Sequence, residues 1–212
     1  MAKAQKQRRA PAERPQEILD AALELFVEKG FAATRLDDVA ERAGLSKAAI
    51  YLYFADKTAL FKGVVEQAVG QNLFTVQAMV AQHKGEVAPL LPMILEFMAH
   101  RIDSTPMASV AKLVIAESRA FPEIGRFYLK EVIGRGIPML EGLIRRGIAQ
   151  GEFRKVDPAL TVRSIMGAML LAGVWRTVFE PIGAEKLDIK ALARHHAELM
   201  LHALRPVAEA PS

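Results

Sequence analysis

Between Thr34 and Phe54 the chain carries two short helical patterns separated by a turn at Gly44-Leu45-Ser46. The periodicity predicts a helix from Leu36 to Ala43 that buries Val39, Ala40 and Ala43 and stops at Gly44. Ser46 is a side-chain acceptor suited to cap a following helix from Lys47 to Phe54. Helix, glycine turn and short helix make the helix-turn-helix plan, whose second helix enters the major groove of DNA. At about 100° per residue, Ile50 and Phe54 point together toward Val39 and Ala40, while Ala48 and Leu52 lie opposite with Ala49 and Tyr51 on the flanks.

That geometry assigns chemistry to the outward side. Lys47 stands in the first helical turn, within reach of a phosphate or a guanine edge, and Ala48 and Ala49 are small enough to admit the backbone to the groove. Tyr51 and Tyr53 can donate hydroxyl hydrogen bonds to phosphates, and Lys57 stands at a helix start suited to an anion. Asp37, Asp38 and Glu41 read as a solvated acidic edge near a helix N-terminus.

The rest of the chain is helical in pattern, with no alternating strand signal, so an all-α fold of about nine helices is expected. A first helix starts near Pro15, carries the stripe Ile18, Ala21, Ala22, Leu25 and Phe26, and stops at Gly30. Asp56 caps a fourth helix from Lys57 toward Val80. Later breaks fall at 85–89, 104–106, 121–122, 151–158 and 181–183. The organisation predicted is a basic arm over 1–14, a three-helix DNA-binding domain over 15–65, a larger helical domain over 66–205, and a frayed tail over 206–212.

The net charge of +4 is modest, but its placement is informative. Lys3, Lys6, Arg8, Arg9 and Arg14 against Glu13 give the arm a net +4, whereas residues 15–64 carry a net −2. Beside a DNA-reading motif such an arm can contact phosphate or the minor groove. With no cysteine, a disulfide framework, a thiol nucleophile and a zinc finger are excluded. No signal-peptide core is visible, and the longest apolar run, Ile165 to Trp175, is shorter than the ~20 residues a spanning helix requires. A cytoplasmic protein without a membrane partner is therefore expected.

Residues 15–65 resemble the DNA-binding domain of the TetR/AcrR family of bacterial regulators. The likeness is carried by Ala21-Ala22-Leu23, Leu25-Phe26, Gly30-Phe31, Asp38-Val39-Ala40, Ala43-Gly44-Leu45-Ser46, Ile50-Tyr51, Tyr53-Phe54, Lys57 and Leu60. It implies that Lys47, Ala48, Ala49, Tyr51, Tyr53 and Lys57 face DNA, with Thr34 and Arg35 touching its backbone; Ser46 belongs to the same set. Arg35 departs from the small hydroxyl residue common at this position, so Thr34 is expected to cap the second helix with Asp37, leaving Arg35 for phosphate. The stretch from Ala111 to Gly136 resembles the AefR-type C-terminal domain.

In the larger domain Met93, Phe97, Met107, Phe121, Phe127, Met139, Met166 and Trp175 suit an adaptable cavity for an apolar effector, although such residues also build ordinary cores. His100, Glu117 and Arg119 supply candidate polar groups. Gly167 and Ala172 permit close helix approach beside Leu171, and Leu192, His196, Leu199 and Ala203 recur at helical spacing. The family likeness implies that these two helices pair with their symmetry mates in a homodimer. Adjacent His195 and His196 point ~100° apart and lack an acidic or cysteine partner at ligand spacing, so no metal or other cofactor is expected.

The sequence thus predicts a dimeric repressor on a pseudo-palindromic double-stranded operator, released by a small effector. An activator of the same fold and a ligand carrier without DNA function are the alternatives. An enzyme is not expected, because no phosphate loop, metal cluster or nucleophile–base pair is present. Two mechanical expectations accompany this reading. The fourth helix acts as a lever between effector and reader. The helix after Phe121-Pro122 is kinked around Gly134, Gly136 and Pro138, and an apolar effector sits between it and the helices bearing Met93, Phe97 and Met107.

Overall fold

A computed structural model describes residues 14–206, and within them every regular element is helical. Residues 1–13 of the basic arm and 207–212 of the C-terminal tail lie outside the described residues, and Arg14 opens the first helix. Helix α1 (Arg14–Ala33) buries Ile18, Ala21, Ala22, Leu25 and Phe26, the stripe read from the sequence. It breaks at Gly30, where φ is 80° and ψ is 168°. Helix α2 (Leu36–Ala43) ends at Gly44 in the left-handed region, whose amide returns to the carbonyls of Ala40 and Glu41. Helix α3 is shorter than expected, Lys47–Tyr51 rather than Lys47 to Phe54. The amides of Tyr53 and Phe54 both return to the carbonyl of Ile50, and this tightening ends the helix early.

The predicted fourth helix is a rod of two parts, α4 (Lys57–Val65) and α5 (Gln71–Gln82), joined by a widened π-type turn over Glu66–Gly70. Its buried positions Leu60, Val64, Ala68, Asn72 and Val76 recur every four residues. In a regular α-helix that spacing rotates the row by about 40° each step. The widened turn offsets the drift and keeps the row against the core. The buried Asn72 amide donates to the carbonyl of Ala68 at 2.9 Å and contacts the Met107 sulfur at 3.5 Å.

The remaining helices are α6 (Leu90–Ser104), α7 (Met107–Glu117), α8 (Pro122–Tyr128), α9 (Gly134–Ala149), α10 (Pro158–Val174) and α11 (Ile189–Leu204). A second π-type turn, Leu129–Ile133, joins α8 to α9, and the rod continues through Pro138. A third, Trp175–Phe179, prolongs α10. With these joins, and with α1 counted as one helix across its break, the described residues form nine helical rods, as the break signals predict.

Two apolar cores result. One gathers α5, α6, α9, α10 and α11. The other holds α1 to α4 together with Val110, Leu113 and Val114 of α7 and Ile124 of α8. The N-terminal segment therefore completes its core with residues that come about fifty positions later. The stretch Pro158–Ile182 is 25 residues long, with a mean hydropathy of 1.3 over its most apolar window, and is long and apolar enough to cross a membrane by length and composition. Its inward side carries Val162, Ile165, Met169 and Ala172, and its outward side Leu160, Leu170 and Leu171.

Candidate nucleic-acid interface

Helix α3 is anchored by Ile50, which is fully buried in the core that it shares with α1, α2 and α4. Ser46 caps it, its Oγ accepting from the Ala49 amide at 3.2 Å. Anchoring one face leaves the opposite face outward: Ser46, Lys47 and Ala48 are exposed, Ala49 is half-buried, and Tyr51, Leu52 and Tyr53 are 50%, 80% and 39% exposed. Three large apolar or aromatic side chains on so short a stretch are a surface left uncovered by the described residues. Lys47 is not free there, because its ammonium lies 2.9 Å from Asp37 Oδ1 and that carboxylate raises its pKa. A clamp of surface ion pairs orients α2 on α1, with Arg42 reaching Glu24 at 2.9 Å and Glu28 at 3.0 Å.

Two expected DNA contacts are placed differently. Thr34 is buried, and its hydroxyl donates to the carbonyls of Gly30 at 2.8 Å and Leu25 at 3.2 Å, so it neither caps α2 nor faces outward. Arg35 occupies the N-cap position instead, and its amide donates to Asp38 rather than to an acceptor on Asp37. Lys57 is spent internally: its ammonium donates to the carbonyls of Phe31, Ala32 and Thr34 at 2.7, 3.0 and 2.9 Å and lies over the Phe31 ring. Desolvation lowers its pKa, with the charge of Glu117 opposing. Lys57 is thus the structural cap of the α1 corner, a role that three carbonyls left by a broken helix demand.

The candidate effector residues are divided between the surface and the two cores. Met93 and His100 are exposed; Phe97, Met107, Met139 and Met166 pack half-buried against the C-terminal core. Phe121 and Phe127 pack against the other core, and Trp175 leans on Phe179 while its indole N–H donates to the carbonyl of Glu185. The space between α6, α9 and α10 is nearly closed, about 10 Å³, and Met166 is the one candidate that lines it. A cleft of about 480 Å³ opens elsewhere, between α1, α7 and the end of α10. Phe26, Val27, Gly30, Lys112, Glu117 and Arg176 are among its walls, so Glu117 is the expected polar group that does reach a cavity. Helical spacing within α1 holds no signal that α7 lies across it, so the sequence gives no hint that α1 walls a cavity.

Of the expected interface residues, Gly167, Leu171, Leu199 and Ala203 are exposed and Leu192 is half-buried. Ala172 is fully buried inside the chain, because it shares the inward face with Ile165 and Met169 while Leu171 points about 100° away. The His196 ring is 3.1 Å from the carbonyl of Ile165 and joins α11 to α10.

Residues 18–64 match the family model for bacterial regulatory proteins of the tetR family, and residues 89–203 match the C-terminal domain of AefR-like transcriptional repressors. The chain belongs to the TetR family. As a TetR-family protein it is a DNA-binding transcriptional regulator. It is 28% identical over 85% of its length to the uncharacterized HTH-type transcriptional regulator YfiR of Bacillus subtilis, covering 86% of that protein. It is 33% identical over 72% of its length to the HTH-type transcriptional regulator RutR of Escherichia coli, covering 70% of it. In fold it is similar to the transcriptional regulator FadR of Bacillus subtilis solved in complex with stearoyl-CoA, with a TM-score of 0.69, 21% identity, and coverage of 90% of this chain and 99% of that one.

Proposed function

We propose that this TetR-family regulator binds a pseudo-palindromic operator as a homodimer in the bacterial cytoplasm and represses transcription until a small effector with an apolar body releases it. The carrying observation is the outward face of α3, where Lys47, Ala48, Tyr51, Leu52 and Tyr53 stand exposed around the buried Ile50. Lys47 and Ala48 meet base edges, Tyr51 and Tyr53 meet phosphates, and Arg35, Ser46 and Ala49 complete the surface.

Dimerisation is supported by apolar side chains left uncovered on the last two helices: Leu160, Leu170 and Leu171 on α10 and Leu199 on α11. Gly167 lies among them with nothing within 4 Å of where a Cβ would stand, which lets a second helix approach closely. Pairing of this face also accounts for the high hydropathy of Pro158–Ile182 without a membrane. The effector reading is supported by the cleft of about 480 Å³, within the range of roughly 300–1,000 Å³ usual for small-molecule sites. The fatty acyl thioester held by the similarly folded FadR is consistent with an apolar body. Selection of bound DNA from a random pool tests the reading. A two-fold-related site with half-sites about one helical turn or slightly more apart is expected, and recovery of no enriched sequence overturns it.

A further inference from the structure

The break in α1 leaves backbone groups in need of partners. At Gly30 the chain takes a conformation that only glycine adopts without strain, then turns through Phe31 to Thr34 into α2. Lys57 takes the carbonyls of that corner. The Phe31 amide is taken from the other part of the molecule: it donates to Glu117 Oε1 at 2.9 Å, 86 residues away at the end of α7. The fit is close, since a Cβ at position 30 would stand 2.7 Å from that same oxygen. The Phe31 ring adds an apolar counterpart, packed edge-on against Phe121 just beyond α7 and against Phe61 of α4.

The corner is the segment that aims α2, and α2 with α1 seats Ile50 of α3. A carboxylate at the end of α7 is therefore joined to the corner that leads into α2, by a contact beside those that Lys57 and Phe61 of α4 make to it. Gly30 and Glu117 also stand together in the wall of the large cleft. The cleft's other carboxylate, Asp103, is engaged by Arg176 at 2.8 Å, which leaves Glu117 as the one tied to the reader.

We propose that Glu117 is a positioning residue for operator binding: by accepting the Phe31 amide it locks the α1–α2 corner onto α7 and sets the orientation of α3. This rests on the DNA-binding reading above. The test uses the full chain, the operator recovered by selection, and the variants Glu117→Ala and Glu117→Gln. Operator affinity is read by fluorescence anisotropy and backbone exchange by mass spectrometry. Glu117→Ala is expected to weaken operator binding by at least about fivefold, the low end of ordinary intramolecular coupling. Exchange should accelerate in the peptide spanning residues 26–35 while α6 and α11 keep their protection. Glu117→Gln retains an oxygen acceptor and should restore most of both. An alanine variant within about twofold of the parent affinity overturns the proposal. So does a loss that glutamine fails to rescue and that comes with faster exchange throughout α6 and α11, since that marks general destabilisation. If the parent chain itself selects no DNA, the DNA-binding reading falls, and exchange at residues 26–35 still reports whether Glu117 holds the corner.

Discussion

Lys47 Nζ lies 2.9 Å from Asp37 Oδ1, so the basic group at the head of α3 is held by α2. Binding phosphate or a guanine edge requires exchanging that partner. Asp37→Asn removes both the competitor and a negative charge beside the DNA face. It should tighten operator binding by about two- to fivefold, in line with the small worth of exposed ion pairs. Lys47→Ala should weaken binding by about 1–3 kcal/mol, the worth of a base-edge contact. Titrations at several salt concentrations check both, and a weaker Asp37→Asn complex would show that the pair orients Lys47 productively.

Gly30→Ala places a side chain at φ 80° and drives it toward Glu117. A loss of about 1–3 kcal/mol is expected from the strained backbone and the collision together. For a chain of this length that is a melting-temperature fall of several degrees. In a Glu117→Ala background the collision is removed and the strain remains, so the same substitution should cost less. A double-mutant cycle measures the difference, and strict additivity would mean that the carboxylate yields without cost.

Leu171 and Ala172 are chain neighbours, the first exposed and the second buried. Leu171→Glu and Leu199→Glu put a charge on the uncovered α10–α11 face and should give folded monomers with weak operator binding, read by sedimentation and circular dichroism. Ala172→Glu buries an unpaired charge in the core of one chain and should depress the melting temperature whatever the assembly. Intact dimers in both leucine variants would move the interface elsewhere.

The Arg42 clamp gives a pH signature. Arg42, hydrogen-bonded to Glu28, holds that carboxyl below its ordinary pKa. A depressed carboxylate contributes stability above its unfolded pKa and loses it as the pH falls through the folded value. Arg42→Ala should therefore lower the melting temperature near neutrality. The gap to the parent should narrow as the pH falls below the ordinary carboxylate range of about 4. A gap constant with pH would assign the effect to packing of the Arg42 stem.

Much of the fold was legible because its signals are short-range. Gly44 ends α2, Ser46 and Asp56 cap α3 and α4, and the α1 stripe is buried as its spacing requires. The outward set on α3 followed from one buried residue, Ile50, and the helical rotation. The third helix was overextended because the tight turn after Tyr51 keeps the same apolar position, Phe54, packed against the core. The π-type turn between α4 and α5 left only an indirect trace, in buried residues spaced by four.

What the sequence determined by itself was helix content, the reader motif and which side of α1, α2 and α3 turns inward, since these depend on neighbours three or four residues away. Tertiary structure decided the jobs of polar groups whose partners lie far along the chain. Thr34 is turned inward to Leu25 and Gly30, and Lys57 spends its ammonium on the α1 corner. The position of α7 across α1 brings Glu117 to the Phe31 amide and opens the cleft beside it. Such contacts follow from how the two cores pack against each other, and a pattern of nearby residues does not encode that packing.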